Sequence, residues 1–371
     1  VFIVLIILAF STAVYAGAMV FIAAGLQRLP RPAGSEQPMV SVIIAMRNEA
    51  RNIPRLLPAL LAQEYPRDRL EIVVVDDDSS DDSAVRLQTF IEGSPVRIRL
   101  LHSAGREQSM SPKKQALAFA IDRAQGELLL LTDADCIPPP HWVAGMVRYF
   151  SGSVGLVVGF SPLEIPPPRS ISEQLIALES LSLAALSAGT AGWGRAATCN
   201  GRNLAYRKQV YKEVGGFHDI AHLASGDDDL FLKMVVEKTR WRAAYALQPA
   251  TAVPSQQPRK PKDLIWQRLR HASKSMHYSA PMMVVLSAVY LYNLALLAGL
   301  AFSLTTSRSI HWIALLWTMK AAGEGVLLGR FAREMDRQRL LAVFPLAEFL
   351  HVFYVVVFGA LGPILRVRWK R

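Results

Sequence analysis

Cysteine is scarce: Cys136 and Cys199 are the only two in 371 residues, and their spacing fits no metal-ligand pattern. On a cytoplasmic face both would stay reduced thiols. Charge is scarce too, at 19% of residues against 51% apolar ones. That balance excludes a disordered or fibrous chain. Acidic side chains are the rarer sign, 30 Asp and Glu against 41 Lys and Arg, for a net charge of +11. A basic surplus can mark a nucleic-acid binder, but no aromatic-basic binding motif accompanies this one. Its residues gather instead beside long apolar runs, where anionic lipid is the better partner. No nucleic acid is expected.

The apolar excess sits at the two ends of the chain. Val1 to Leu26 carries no charged side chain, and at ~1.5 Å per residue it is long enough to cross a hydrocarbon core of ~30 Å. Residues 1–27 therefore read as a transmembrane helix. A secretory signal peptide is the competing reading, but no A-x-A-like site separates the run from Gln27 and Arg28. Apolar runs return at Ser279 to Leu304, Ile310 to Gly329 and Leu340 to Leu365, so 279–365 is expected to hold two to three membrane helices. The second run contains Lys320 and Glu324, and the third Pro345, Glu348 and His351. Charges inside spans are costly and face either each other or a site. Basic flanks in 256–278, after Gly329 and in the tail 366–371 all favour the cytoplasm. Full spans in all three runs cannot satisfy every flank: either the last segment is re-entrant or interfacial, or its basic tail is overridden. The expectation is an integral protein of the inner or plasma membrane, with the part between the apolar ends in the cytoplasm.

That part, about residues 38–255, alternates strand and helix patterns. Val40 to Met46, Leu70 to Asp77, Val96 to Ser103 and Glu127 to Asp135 read as strands, with helices over 50–63, 79–93 and 112–124 between them. An α/β fold with a mostly parallel sheet is implied, whose ligands bind beyond the carboxyl ends of the strands. Polar clusters stand at those ends: Arg47-Asn48-Glu49, Asp76-Asp77-Asp78 with Ser79 and Ser80, and Asp133-Ala134-Asp135. Singly, each fits a solvated turn or a helix N-cap. Together on one edge they fit a site. An Asp-x-Asp pair at a strand end can hold one hard divalent cation, Mn²⁺ or Mg²⁺, with positions left for water and phosphate oxygens. The apolar stretch from Ser170 to Gly194 fits either the membrane interface or the core.

These motifs, in this order, resemble glycosyltransferase family 2, inverting enzymes with the GT-A nucleotide-diphospho-sugar fold, over about residues 38–275. The resemblance implies roles. SVIIAMRNEA places Arg47, Asn48 and Glu49 at the nucleotide base and ribose. In VVVDDDSSDDS, Asp76 and Asp77 take the base-recognising positions, and Asp78 stands where glycine is usual. KKQAL nominates Lys114, and less directly Lys113, for the diphosphate. LLTDADC matches the metal-binding DxD, with Asp133 toward the sugar nucleotide and Asp135 on the metal. CNGRNLAYRKQVYKEVGGF puts Asn203 and Arg207 on the donor-sugar side. SGDDDLFLK supplies the catalytic base: holding the L-x-L-K tail in register puts it on Asp227, and aligning the acidic pair puts it on Asp228. WQRLRHASK resembles Q-x-x-R-W, with Gln267 near the acceptor and Arg270 near the diphosphate. His271 stands where Trp is usual, which counts against processive polymer synthesis.

The chemistry needs one base. An acceptor hydroxyl loses its proton as its oxygen attacks the anomeric carbon, and a carboxylate within ~2.6 to 3.2 Å can take it. A single displacement inverts that carbon and needs no second carboxylate as nucleophile. The expected activity is metal-dependent transfer from a nucleotide-diphospho-sugar, UDP-linked, to a lipid hydroxyl of glycolipid, polyprenyl or carotenoid type. A processive polysaccharide synthase and a non-catalytic, membrane-anchored sugar-nucleotide-binding protein are the alternatives.

Overall fold

The computed structural model describes residues 2–103, 110–223, 225–258, 261–273, 278–306 and 310–364. The chain enters through α1 (Phe2–Gly25). Then β1 (Val40–Met46), α2 (Ile53–Leu61), β2 (Leu70–Asp76), α3 (Ser83–Ile91), β3 (Arg97–His102), α4 (Pro112–Arg123) and β4 (Leu128–Leu131) alternate as the pattern predicts. β1 pairs in parallel with β2 and β4, and β2 with β3. The second half adds α5 (Trp142–Val147), β5 (Val154–Gly159), β6 (Leu163–Ile165), α6 (Ile171–Gly192), β7 (Leu204–Arg207), α7 (Lys208–Glu213), α8 (Asp229–Lys238), β8 (Arg242–Ala246) and β9 (Ser255–Gln256). β7 inserts antiparallel between β4 and β5, and β8 lies parallel to β5. The result is a seven-stranded, mostly parallel sheet in the order β3-β2-β1-β4-β7-β5-β8, with β6 and β9 paired apart from it.

Both faces of the sheet are covered, which is why its strands read as continuous apolar runs. Val42, Ile44, Val74 and Leu130 share one core with Leu56 and Leu60 of α2 and with Trp142 and Met146 of α5. Their neighbours Ile43, Val73, Val75 and Leu131 share the other with α4, α6 and α8. The Ser170 to Gly194 stretch belongs to this second core. It starts with a reciprocal capping box between Ser170 and Glu173, and it buries Ala177, Leu178, Leu181, Ala185 and Ala188.

The last third is helical: α9 (Pro261–Ser273), α10 (Ala280–Thr306), α11 (Ile310–Glu334) and α12 (Phe344–Ile364). Among the described residues, four segments are long and apolar enough to cross a membrane: Ile3–Arg28, Ile171–Gly192, Ala280–Thr305 and Gln338–Ile364. α1 and α11 run side by side, so close that a Cβ on Gly323 would lie 2.7 Å from the Ala16 Cα. Where α1 ends it crosses α6 with equally little room. A Cβ on Gly25 would stand 2.0 Å from the Gly189 carbonyl oxygen, and one on Gly192 1.8 Å from that of Gly25. Such contact needs glycine on both helices. Leu327, Leu328 and Phe331 of α11 join the core under the sheet, where Phe331 meets the rings of Phe160 and Tyr245 edge-on at 5.6 and 5.9 Å. Helices and α/β body therefore share one interior.

The charges within the apolar runs face one another. Lys320 is fully buried, with Nζ 2.8 Å from Glu324 and 2.5 Å from Glu348, and the Tyr15 hydroxyl donates to Glu324. Nδ1 of His351 and Oε2 of Glu348 are buried there without a hydrogen-bond partner.

Candidate active site

The carboxyl edge of β1, β4 and β5 opens into a cleft of about 970 Å³. Glu49, Lys113, Asp133, Asp135, Arg202, Asp227 and Asp228 line its polar side; Leu183 and Ala184 of α6, with Gln267 and Arg268 of α9, form the opposite wall. β4 stops at Leu131, so Asp133 and Asp135 stand on the turn beyond it rather than in the strand.

Lys113, in the first turn of α4, ties the two acidic motifs together. Its Nζ lies 3.1 Å from Asp133 Oδ1 and 3.0 Å from Asp227 Oδ2. Burial works against its charge, but the carboxylates of Asp133, Asp227 and Asp228 prevail and hold the ammonium well above its ordinary pKa. Lys114, expected at the diphosphate, is elsewhere. It is fully buried and its Nζ donates to the carbonyl oxygens of Ile220 and Leu223 at 2.5 Å each. Successive helical residues point ~100° apart, and packing turns Lys113 to the cleft and Lys114 to the core.

The Asp triplet divides its work. Gly226 holds φ at +98°, and a Cβ there would meet Leu230 at 2.5 Å, so the turn into α8 requires glycine. Asp228 is the N-cap: Oδ1 accepts from the Asp229 N–H at 2.8 Å and Oδ2 from Gly201 N–H at 3.2 Å. Asp229 accepts from the Leu230 N–H and from the Tyr278 hydroxyl at 2.9 Å. Asp227 faces Lys113 and the cleft.

Carboxylates are in surplus around the DxD. Burial pushes Glu49 up to about 7 despite a hydrogen bond from Asn52, and the charges of Asp135, Asp133 and Asp81 add to the rise. Burial likewise raises Asp135, reinforced by Asp133 and opposed by Arg202. Hard oxygen donors that repel one another in a half-buried cleft fit a divalent cation, which Asp133 and Asp135 would hold.

The ends of β1 and β2 are knitted together. Ser80 N–H donates to Asn48 Oδ1 at 2.8 Å, and Ser79 N–H to Asp76 Oδ1 at 3.1 Å. Asp77 N–H donates to the Met46 carbonyl oxygen at 2.9 Å. Asp78 has φ +61°, which accounts for the usual glycine at its position. Asn48 and Glu49 reach the cleft lining; exposed Arg47 and buried Asp76 and Asp77 sit beside it.

Two expected donor-sugar residues are structural instead. Asn203 is fully buried; Nδ2 donates to the Phe160 and Thr251 carbonyl oxygens at 2.8 Å each, and Oδ1 accepts from Trp142 Nε1 at 2.9 Å. Arg207 lies at the opposite edge of the sheet. Because β7 is antiparallel, Leu204 pairs with Leu131 at the cleft edge and Arg207 with Leu128 at the far one. There Arg207 bonds the carbonyl oxygens of Val154 at 3.0 Å and Phe150 at 3.3 Å, between the rings of Phe150 and Trp241. Arg202, which the motif reading passed over, is the arginine in the cleft, held by Asn200 Oδ1 at 3.1 Å and Ser255 Oγ at 2.8 Å.

On α9, Gln267 lines the cleft and its Oε1 is buried with no hydrogen-bond partner. Arg268, one residue on, pairs with Glu179 of α6. The side chains of Arg270 and His271 lie outside the described residues. His218 and His222 are four apart in sequence, but the chain there forms a 3₁₀ turn and both rings are exposed.

The model of the family described as Glycosyl transferase family 2 matches residues 41–215. Glycosyltransferase AglE of Haloferax volcanii is 28% identical over 231 residues, 61% of this chain and 69% of that protein. Beta-monoglucosyldiacylglycerol synthase of Synechocystis is 23% identical over 219 residues, 57% of this chain and 43% of that protein, so the match spans less than half of that relative. Among solved structures, mannosyltransferase PcManGT from Pyrobaculum calidifontis, in complex with GDP-Man and Mn²⁺, superposes with a TM-score of 0.62 at 22% identity, covering 94% of this chain and 99% of that one. The two share a fold.

Proposed function

From a chain whose residues 41–215 belong to glycosyl transferase family 2, we propose a membrane-bound, inverting glycosyltransferase that moves a sugar from a nucleotide-diphospho-sugar to a lipid hydroxyl at the cytoplasmic face. The observation that carries this reading is Lys113, held between Asp133 of the DxD and Asp227 of the acidic motif in a cleft whose other wall is apolar α6 and juxtamembrane α9. A divalent cation on Asp133 and Asp135 would neutralise the leaving diphosphate. Lys113, freed from Asp133, is placed to follow that same charge. Asp227 takes the acceptor proton, since its carboxylate faces the cleft beside Lys113 while the two aspartates after it serve the backbone and Tyr278. Gln267 offers its unpartnered Oε1 to a hydroxyl of sugar or acceptor.

A UDP-sugar is the donor that Asp76 and Asp77 favour by their resemblance to the base-recognising pair. A lipid acceptor is supported by α6, which takes one side from the core and gives the other to the cleft beside α9, and by the named product of the Synechocystis relative, a glucosylated diacylglycerol. His271 in place of Trp favours single transfer over polymer growth. The test is turnover of UDP-, GDP- and TDP-sugars by purified protein with Mn²⁺ or Mg²⁺ and extracted membrane lipids, with products read by mass spectrometry. A single glycosylated lipid is expected. No turnover of any donor would sink the enzyme reading, and a ladder of polymers would replace it with a synthase.

A further inference from the structure

α12 has the composition and length of a membrane span, but its contacts do not follow a spanning path. α10 leaves the α/β body next to Tyr278, whose hydroxyl is on Asp229. α11 returns to that body through Leu327, Leu328 and Phe331. The last turn of α10 and the first of α11 are therefore on the far side, where Leu8, Leu296, Ile313 and Leu316 form a separate apolar cluster. α12 begins on the near half of α11, with the Phe344 ring 3.5 Å from where a Gly325 Cβ would stand. It crosses α11 once, through Glu348 on Lys320 and Phe349 stacked on Trp317 at 5.5 Å. Beyond that crossing the same helix runs on past the first half of α10, where a Cβ on Gly359 would lie 2.7 Å from the Tyr290 ring, and along the body: Tyr354 is hydrogen-bonded with Glu179 of α6, and a Cβ on Gly362 would lie 2.4 Å from the Ala272 Cβ of α9.

From Phe344 to Gly362 the helix rises ~27 Å at ~1.5 Å per residue, nearly a whole hydrocarbon core of ~30 Å. A spanning helix would have carried Gly362 to the level of Thr306 and Ile310, the far ends of α10 and α11. Instead Gly362 rests on α9, part of the cleft wall. We infer that α12 lies along the membrane plane on the side of the α/β body, and that its outer face is covered by the lipid of that leaflet; α1 and α10 are then the apolar spans, and α11, less apolar than either, crosses with them because it brings the chain back to the body with Lys320 paired to Glu324 and Glu348.

Charge agrees with this path. Arg330, Arg333 and Arg339 precede α12, while Arg337 between them is taken by Glu164 of the body, and Arg366, Arg368, Lys370 and Arg371 follow it. In-plane placement puts both groups against anionic headgroups on one side. The outward face carries Leu346, Phe349, Leu350, Val357 and Leu361, all exposed, and Ile265 and Trp266 of α9 are exposed as well. Because α9 walls the cleft, this surface is continuous with the cleft mouth. A lipid acceptor, on the reading proposed above, would enter from this ledge; the topology itself does not depend on that reading.

The experiment is cysteine labelling of the full chain in membrane vesicles of both orientations with an impermeant maleimide. The label taken by Cys136 and Cys199 in the parent chain serves as background. Trp369→Cys, beyond α12, should label where the α/β body is exposed and lose its label in the opposite orientation. Ser307→Cys, between α10 and α11, should do the reverse. Label on Trp369→Cys from the same side as Ser307→Cys would overturn the inference. Arg371→Cys gives the same reading if Trp369→Cys is poorly produced. Neither readout uses turnover, so a failed transfer assay and a failed topology remain separate results.

Discussion

The cleft and the helix bundle each hold a lysine between two carboxylates, and they treat it in opposite ways. Lys113 joins Asp133 to Asp227 with 29% of its side chain, and 34% of that of Asp133, open to solvent. Lys320 joins Glu324 to Glu348 with none of its own side chain open and 3% of that of Glu348. Identical chemistry is exchangeable in one place and locked in the other. On the function proposed above, a cation would take Asp133 and a diphosphate Lys113, so the triad would stand in for substrate. In the bundle, removing one partner leaves an uncompensated charge away from water. That triad pins α11 to α12 and, through Tyr15, to α1.

The two lysine triads respond differently to substitution. The largest effect is expected at Asp135: Asp135→Ala should cut turnover by a factor on the order of 10³, because several kcal/mol of charge neutralisation at the diphosphate is lost. Circular dichroism should show an intact fold. Asp227→Ala should lower kcat by about 10²- to 10⁴-fold with donor binding largely kept; activity retained there but lost in Asp228→Ala would move the base to Asp228. A crossed pair tests the two lysines directly. Lys320→Met should destabilise the protein by about 3 to 5 kcal/mol, while Lys113→Met should leave the Tm nearly unchanged and impair transfer. Thermal melts and turnover of both variants decide it.

Smaller is the effect of pH. Glu49, held up to about 7, carries a proton below that value, and a cation competes with that proton. Affinity for Mn²⁺ should therefore rise between about pH 6 and about pH 8 with proton release, and Glu49→Gln should flatten the rise in calorimetric titrations. The smallest effect on turnover is expected from Arg207→Met. It should cost about 1 to 3 kcal/mol of stability, by leaving the Val154 and Phe150 carbonyl oxygens unbonded, and almost no activity.

The site's place was legible in the sequence, because parallel strands put their carboxyl ends on one edge. Glu49, Asp133, Asp135 and Asp227, far apart in the chain, meet there. What was not legible is side-chain direction set by packing. Nothing in KKQAL distinguishes Lys113 from Lys114 until α4 lies on the sheet. Nor does LAYR announce that β7 runs backwards. A strand of that length spans ~10 Å or more at ~3.3 Å per residue, so Asn203 and Arg207 at its two ends could not both meet one sugar. The same strand reversal explains why Arg202, just before β7, is the arginine that reaches the cleft.

The glycine contact between α1 and α6 bears on how a substrate arrives. Backbone meets backbone at Gly25 and Gly192, and the Ile22 side chain packs straight onto Gly189, while the far face of α6 is a wall of the cleft. Post and tool are one piece, with no tether between them. With α1 in a bilayer the cleft would be held at one height over it, and a lipid substrate of the kind proposed would meet it by diffusing in two dimensions. Encounter would then be governed by surface density in the leaflet rather than by concentration in the bulk.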